Sequence, residues 1–253
     1  GGVIPTHADA RRYDLPMTDN AVDSRLLDAD LREQWDALID WLRLLEDEAY
    51  EADTVLPGWK VRDLLAHLGL AMGVLASAQP TTPDDADRPR LNLGSYLGSY
   101  SDNADGIREK AQEVASDEIA AGLAAIEERG HQALDHLAQL RASGTTTVTV
   151  RRGVIDLTTL VMTRLVELVV HGDDLARSVA VTSPVDPTAR TLVSDALIAV
   201  VRRRSGYELD VVDETAWVRL ATGRARWDQR GQALRSGNLA EGLPDLSAWL
   251  PLL

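Results

Sequence analysis

Apolar residues recur at threes and fours over most of this chain, the spacing that places them on one face of an α-helix. From Asn20 to Tyr50 the series Val22, Leu26, Leu27, Leu31, Trp35, Leu38, Leu42 and Leu45, with acidic residues between, predicts a long amphipathic helix. Pro57 and Gly58 break the chain after it. WKVRDLLAHLGLAMGVLAS, opening at Trp59, predicts a second helix with Val61, Leu64, Leu65, Leu68, Met72 and Leu75 inward. His67 lies beside that stripe, on the same face as Asp63. Pro80, Pro83 and Pro89 make 79–100 a long connection, of a length that often serves as a lid. A third helix is predicted from Asn103 to Arg141, with Ile119, Leu123, Ile126, Gly130, Leu134 and Leu137 as its stripe and His131 and His136 on its polar flank. TTTVTVRRGVIDL alternates in twos, which predicts a short hairpin leading to Asp156 as the N-cap of a fourth helix.

The fourth helix, from Leu157 to Ser178, carries the candidate chemistry. Leu160, Val161, Met162, Leu165, Val166, Leu168, Val169, Val170 and Leu175 make it apolar almost all the way round, so it should be buried on most sides. Thr163, Glu167, His171 and Asp174 follow at spacings of four, four and three and form one polar stripe inside that apolar surface. A buried carboxylate and imidazole need a cation, a hydrogen-bond network, a wet cleft or a metal, because an unpaired buried charge costs several kcal/mol.

Beyond Ser178 the pattern changes. Asp186 and Pro187 open a helix that runs to Arg202, Arg203, Arg204 and a Gly206 C-cap. Tyr207, Leu209 and Val211, then Ala216, Val218 and Leu220, alternate in twos and predict a β-hairpin. Gly223 and Arg224 leave its second strand, and the last residues are expected to form a helix packed by Leu and Trp. The fold class predicted is therefore mainly α: a free segment 1–17 holding His7, a four-helix bundle over 18–180, and a small α/β C-terminal domain over 181–253.

A net charge of −14, from 40 acidic and 26 basic residues, disfavours nucleic acid and anionic membranes as partners. The chain has no cysteine, so disulfides, thiolate metal sites and a cysteine nucleophile are excluded, and any thiol chemistry must come from a cosubstrate. Apolar runs fall short of a membrane span and GGVIPTHADARR holds no signal-peptide core, from which a cytoplasmic protein is expected, monomeric or homodimeric.

Glu167 and His171 are spaced as a one-face metal pair, and a bundle brings the second and fourth helices close enough for His67 to be a third ligand. Two imidazoles and a carboxylate suit zinc or another divalent transition metal with positions open to substrate. Two alternatives stand beside that reading. In one the bundle holds a metal or small ligand without catalysis; in the other no metal binds, and Glu167 and His171 pair with Arg164 or Arg62.

WKVRDLLAHLG followed by RLVELVVHGDDLA resembles the mycothiol-dependent maleylpyruvate isomerase family, a branch of the DinB-like metal-binding four-helix bundles found in actinobacteria. The resemblance covers roughly 20–180 and rests on Trp59 and His67 in the second helix and on Glu167, His171, Asp174 and Leu175 in the fourth. Where many relatives carry Trp after that His, this chain has Asp173. The resemblance implies a divalent metal, zinc above all, on His67, Glu167 and His171. It also implies mycothiol as thiol cosubstrate and a small electrophile that is isomerised or takes up the thiol. Asp174 either orients His171 and carries a proton or makes a helix-end hydrogen bond, and Asp63 is expected to support His67. A Gly-Arg step with a substrate role maps to Gly223 and Arg224, where Arg224 either meets a substrate carboxylate or forms a surface salt bridge.

Overall fold

The computed structural model describes residues 23–253, the side chains of 116–121 excepted; segment 1–17 with His7, and the first residues expected in the opening helix, lie outside that range. The first helix, α1 (Ser24–Leu42), starts at Asp23, whose carboxylate accepts from Arg25 N. It buries Leu27, Leu31, Trp35, Leu38 and Leu42. Leu26 faces outward, and the helix stops short of the expected Tyr50, where a short 3-10 turn, Asp47–Glu51, takes over. Glu46, Asp47 and Glu48 would add negative charge to the negative end of a helix dipole, which opposes extension.

The second helix is α2 (Val61–Ala76). The connection after it is not a free lid. It contains β1 (Gln79–Pro80), β2 (Arg90–Leu91) and α3 (Leu93–Gly98). The two strands flank the expected hairpin, β3 (Thr147–Val150) and β4 (Gly153–Asp156), giving the sheet order β1-β3-β4-β2, with β1 antiparallel to β3 and β2 parallel to β4. The connection is thereby pinned across the bundle.

The single helix expected over 103–141 is two, α4 (Ala104–Ala121) and α5 (Leu123–Ala142). Gly122 between them has φ 85°, a left-handed backbone that a helix cannot include and that glycine adopts without strain. α4 packs on α2, and α5 packs on α1 and α2. Gly130 in α5 lets the Trp35 indole lie against the helix backbone, since a Cβ there would fall 2.0 Å from the ring.

The fourth bundle helix, α6 (Leu157–Ser178), begins at Asp156, whose carboxylate accepts from Thr158 N and Thr159 N, and packs on α1 and α2. Each fully buried Leu along these seams contributes about 1.5–3 kcal/mol relative to exposure.

α7 (Pro187–Ser205) has the expected Asp186 N-cap and a left-handed Gly206 after it. β5 (Leu209–Val211) follows, but the hairpin expected with 216–220 does not form. That stretch is helix α8 (Glu214–Ala221), capped by Asp213, with Trp217, Leu220 and Ala221 buried at helical spacing. The alternation of Ala216, Val218 and Leu220 read one of two patterns present in the same residues, and the cap at Asp213 decides for the helix. After the short α9 (Arg230–Ala233), β6 (Leu234–Ser236) supplies the antiparallel partner of β5, with Leu209 opposite Ser236 and Val211 opposite Leu234.

The expected terminal helix is absent: 237–253 form no helix, and Pro244 and Pro251 interrupt any run long enough to make one. Leu246 and Leu252 are nonetheless buried, and Leu252 N donates to Ala221 O at 2.7 Å. Gln34 of α1, fully buried, clamps the segment entering α7 by donating to Pro184 O (2.8 Å) and accepting from Asp186 N (2.9 Å). Among the described residues no helix is long and apolar enough to cross a membrane.

Candidate metal centre

The crossing of α2 and α6 brings His67, Glu167 and His171 together, with one ligand atom from each lying within 4.8 Å of the others. Glu167 and His171 share a face because they are one turn apart on α6. His67 reaches them from α2, where Leu64, Leu65 and Leu68 hold the helix against the core. His67 Nε2 lies 2.9 Å from Glu167 Oε2, and His171 Nε2 lies 3.3 Å from the same oxygen. The imidazoles meet edge to face with centroids 4.9 Å apart, and the Trp59 ring stands edge-on to His67 at 5.7 Å.

Burial pushes the Glu167 carboxyl up, but the attraction of His67 and the hydrogen bonds from His171 and His67 together outweigh it and hold the group well below the usual range. His67 is lowered, chiefly because burial disfavours its charged form. His171 is raised in spite of burial, because Asp174 and Glu167 both favour the imidazolium. Asp174 in turn is brought down to about 2, since His171 and Arg224 overcome the cost of burying it.

Asp174 is therefore more than a helix-end group. Its Oδ2 accepts from His171 Nδ1 at 3.0 Å, which turns Nε2 toward Glu167. Arg224 Nη2 and Nε donate to the two oxygens of Asp174 at 2.9 and 3.2 Å, and Arg224 Nη1 donates to Thr222 O. Arg224 is thus neither in a surface salt bridge nor unattached: its side chain is 16% exposed and lines the cavity in front of the triad. Asp173, next to Asp174, takes a bidentate pair from Arg219 of α8 at 2.7 and 2.8 Å. Adjacent carboxylates of α6 thereby each hold one arginine of the C-terminal region.

Asp63 stands apart from His67. Its Oδ2 accepts from Lys60 N at 2.9 Å and closes the N-terminus of α2, an assignment that follows from its position in the first turn. His136 bonds the Ala78 carbonyl just past α2 at 2.7 Å, a capping role, and neither it nor His131 lines the cavities at the triad.

The sequence offers Arg164 and Arg62 as alternative partners of Glu167 and His171, but Arg62 pairs with Glu51 and Arg164 donates elsewhere; Tyr100 carries no expectation. Arg164 is buried, three residues before Glu167, and donates to Ala71 O (2.8 Å), Tyr96 Oη (3.2 Å) and Tyr100 Oη (2.8 Å). Burial raises the Tyr100 hydroxyl well above its usual range, and the nearby Glu167 carboxylate adds to that shift. The signal for Arg164 was its place on the stripe of Thr163 and Glu167; for the tyrosines it was their spacing of four in a stretch taken as loop.

A cavity of about 430 Å³ opens over the triad, lined by Leu56, Trp59, Val166, Val170, Arg108 and Arg224 among others. It is large enough for a small molecule, and two neutral-capable imidazoles with one carboxylate form a donor set that fits a divalent metal.

A family model, the mycothiol maleylpyruvate isomerase N-terminal domain, matches residues 31–176. A solved structure, the crystal structure of the mycothiol-dependent maleylpyruvate isomerase, is similar over 90% of this chain and 98% of that chain, with 13% identity and a TM-score of 0.58. None of the curated proteins matches.

Proposed function

The chain belongs to the family of the mycothiol maleylpyruvate isomerase N-terminal domain, and from that premise we propose that it is a cytoplasmic, metal-dependent enzyme that uses mycothiol on a small electrophile, by cis-trans isomerisation or S-transfer. The observation that carries the proposal is the convergence of His67, Glu167 and His171 within 4.8 Å at the floor of a cavity. A buried site with two imidazoles and one carboxylate suits zinc, with room left for an exogenous ligand.

The metal, when bound, supplies positive charge that favours the thiolate form of the cosubstrate near neutral pH. The remaining work falls to residues of this chain. Glu167, ionised, offers Oε2 between the two imidazoles. Asp174 fixes the His171 tautomer by accepting from Nδ1, leaving Nε2 free to donate its lone pair. Arg224 holds Asp174 in place and so positions His171 indirectly, while Trp59, Val166 and Val170 exclude water from the triad. With no cysteine in the chain, the thiol comes from outside it.

Elemental analysis followed by calorimetry of mycothiol binding in two buffers of different ionisation enthalpy tests the proposal. A free thiol is about 3% ionised at pH 7, so thiolate capture releases close to one proton per thiol bound. Cysteine serves as the control thiol. No bound metal overturns the proposal and leaves a metal-free structural or interaction protein, whereas a proton count near zero with metal loaded overturns the thiolate mechanism and leaves a non-catalytic binding protein.

A further inference from the structure

The end of α8 is a tight, fully bonded turn. Gly223, with φ 75°, reverses the chain, its N–H donates to Leu220 O at 3.4 Å, and Arg224 N donates to Arg219 O at 2.7 Å. This pair of bonds closes a helix on a left-handed glycine, and it fixes residue 224 against the carbonyl of residue 219. The side chains of the same two residues reach α6 at consecutive positions. Arg219 Nε and Nη2 donate to Asp173 at 2.7 and 2.8 Å, and Arg224 Nε and Nη2 donate to Asp174 at 3.2 and 2.9 Å.

We propose that Arg219 and Asp173 are positioning residues for the metal centre: their pair seats the end of α8 on α6 so that Arg224 meets Asp174 and, through it, His171. The proposal deepens the reading of the triad as a metal centre, and one arm of its test is independent of that reading. Consecutive residues of an α-helix point roughly 100° apart around its axis. An arginine held at Asp174 alone leaves the end of α8 free to pivot about one contact, whereas a second at Asp173 grips α6 in another direction and removes that freedom. The backbone carries the constraint onward. Arg219 O accepts from Ala225 N at 3.1 Å as well as from Arg224 N, so the chain on which the Arg224 side chain is rooted moves only with Arg219.

The Asp173 pair acts by geometry more than by strength. The side chains of Arg219 and Asp173 are 36% and 19% exposed, so water screens their attraction and its share of overall stability is small. Two parallel hydrogen bonds from one guanidinium nonetheless fix direction as well as distance. Asp174 is different: it has no exposed side-chain surface and accepts from His171 Nδ1, so a displacement of Arg224 is felt at a ligand of the triad. Asp173 also lies 4.0 Å from Arg177 of its own helix. It therefore keeps a countercharge when Arg219 is replaced, and such a variant leaves no orphaned charge to unfold the protein.

The test uses the full chain with isotope-labelled arginine. The Arg224 Nε–H resonance is identified by its loss in Arg224→Ala, and its exchange with water is followed first without metal. Arg219→Gln and Asp173→Asn should each speed that exchange about tenfold while the thermal melt stays close to that of the unaltered protein. Competition with a chelator should then show zinc held about threefold more weakly in each variant, a smaller loss than at Asp174 itself. In an Arg224→Ala background Asp173→Asn should cause no further loss, because the two residues act in one line. Arg219→Lys, which keeps the charge without the fork, should fall between. Arg235→Gln, which breaks an exposed pair with Asp210 in the same region, should change neither readout. Unchanged Arg224 exchange in both variants overturns the proposal. So does a zinc loss from Asp173→Asn that persists in full in the Arg224→Ala background, which would make the pair a structural contact only. If the unaltered protein binds no zinc, the metal-centre reading falls and the link to zinc falls with it, while the exchange measurement alone then decides whether Arg219 and Asp173 place Arg224.

Discussion

Asp174 and Arg224 face each other through two hydrogen bonds, 2.9 and 3.2 Å, although they lie fifty residues apart and Asp174 has no exposed side-chain surface. The same carboxylate accepts from His171 Nδ1. An arginine of the C-terminal region is thereby coupled, through one buried acid, to a residue of the candidate metal centre.

That coupling predicts the behaviour of two variants. Asp174→Asn removes the preference for the Nδ1–H tautomer and should lower zinc affinity about 10–100-fold. Arg224→Ala leaves Asp174 with the His171 contact and should lower affinity less. Competition with a chelator of known affinity measures both, and unchanged affinity in both variants would mean that Asp174 does not position His171.

The triad itself is tested by His67→Ala, Glu167→Ala and His171→Ala. Each should lose most bound metal, whereas His131→Ala and His136→Ala, outside both cavities, should retain it. Elemental analysis gives the content, and a thermal melt beside it confirms that each variant is folded.

Acid should destabilise the metal-free protein through Asp174. Its carboxyl is depressed to about 2 from 3.8. The stabilisation is therefore present above pH 3.8 and is lost as pH falls through 2, an effect of about 2 kcal/mol. Urea unfolding at pH 7 and at pH 2 should show the difference between the unaltered protein and Asp174→Asn shrinking by that amount. His171, raised in the fold, contributes in the opposite direction: its stabilisation is complete below pH 6.5 and disappears as pH rises through its folded value.

Two glycines should respond oppositely to alanine. Gly130→Ala drives a Cβ into the Trp35 ring and should cost about 1–3 kcal/mol or more. Gly73 lies inside α2 with nothing within 4 Å of an added Cβ, so Gly73→Ala should stabilise by roughly 0.5–1 kcal/mol. Chemical denaturation midpoints read both.

Local spacing determined a great deal here. The stripe of Glu167, His171 and Asp174 on a buried helix, the caps at Asp156, Asp186 and Gly206, and the β3–β4 hairpin all follow from residues within a turn or two of one another. The motif around His67 and the motif around Glu167 also pointed to the family before any contact between them was visible. What spacing could not supply was anything fixed by packing between distant segments. The helix expected over 103–141 breaks because one glycine takes a left-handed backbone, and 216–220 becomes helix because Trp217 and Leu220 find the core on a helical face while β6 takes the place beside β5. Asp63 and Asp174 looked equivalent, each an acid near a histidine on its own helix. The fold turns one to a helix N-terminus and gives the other an arginine, because side-chain partners across a core are set by how helices cross and by which buried charge lacks a counterion.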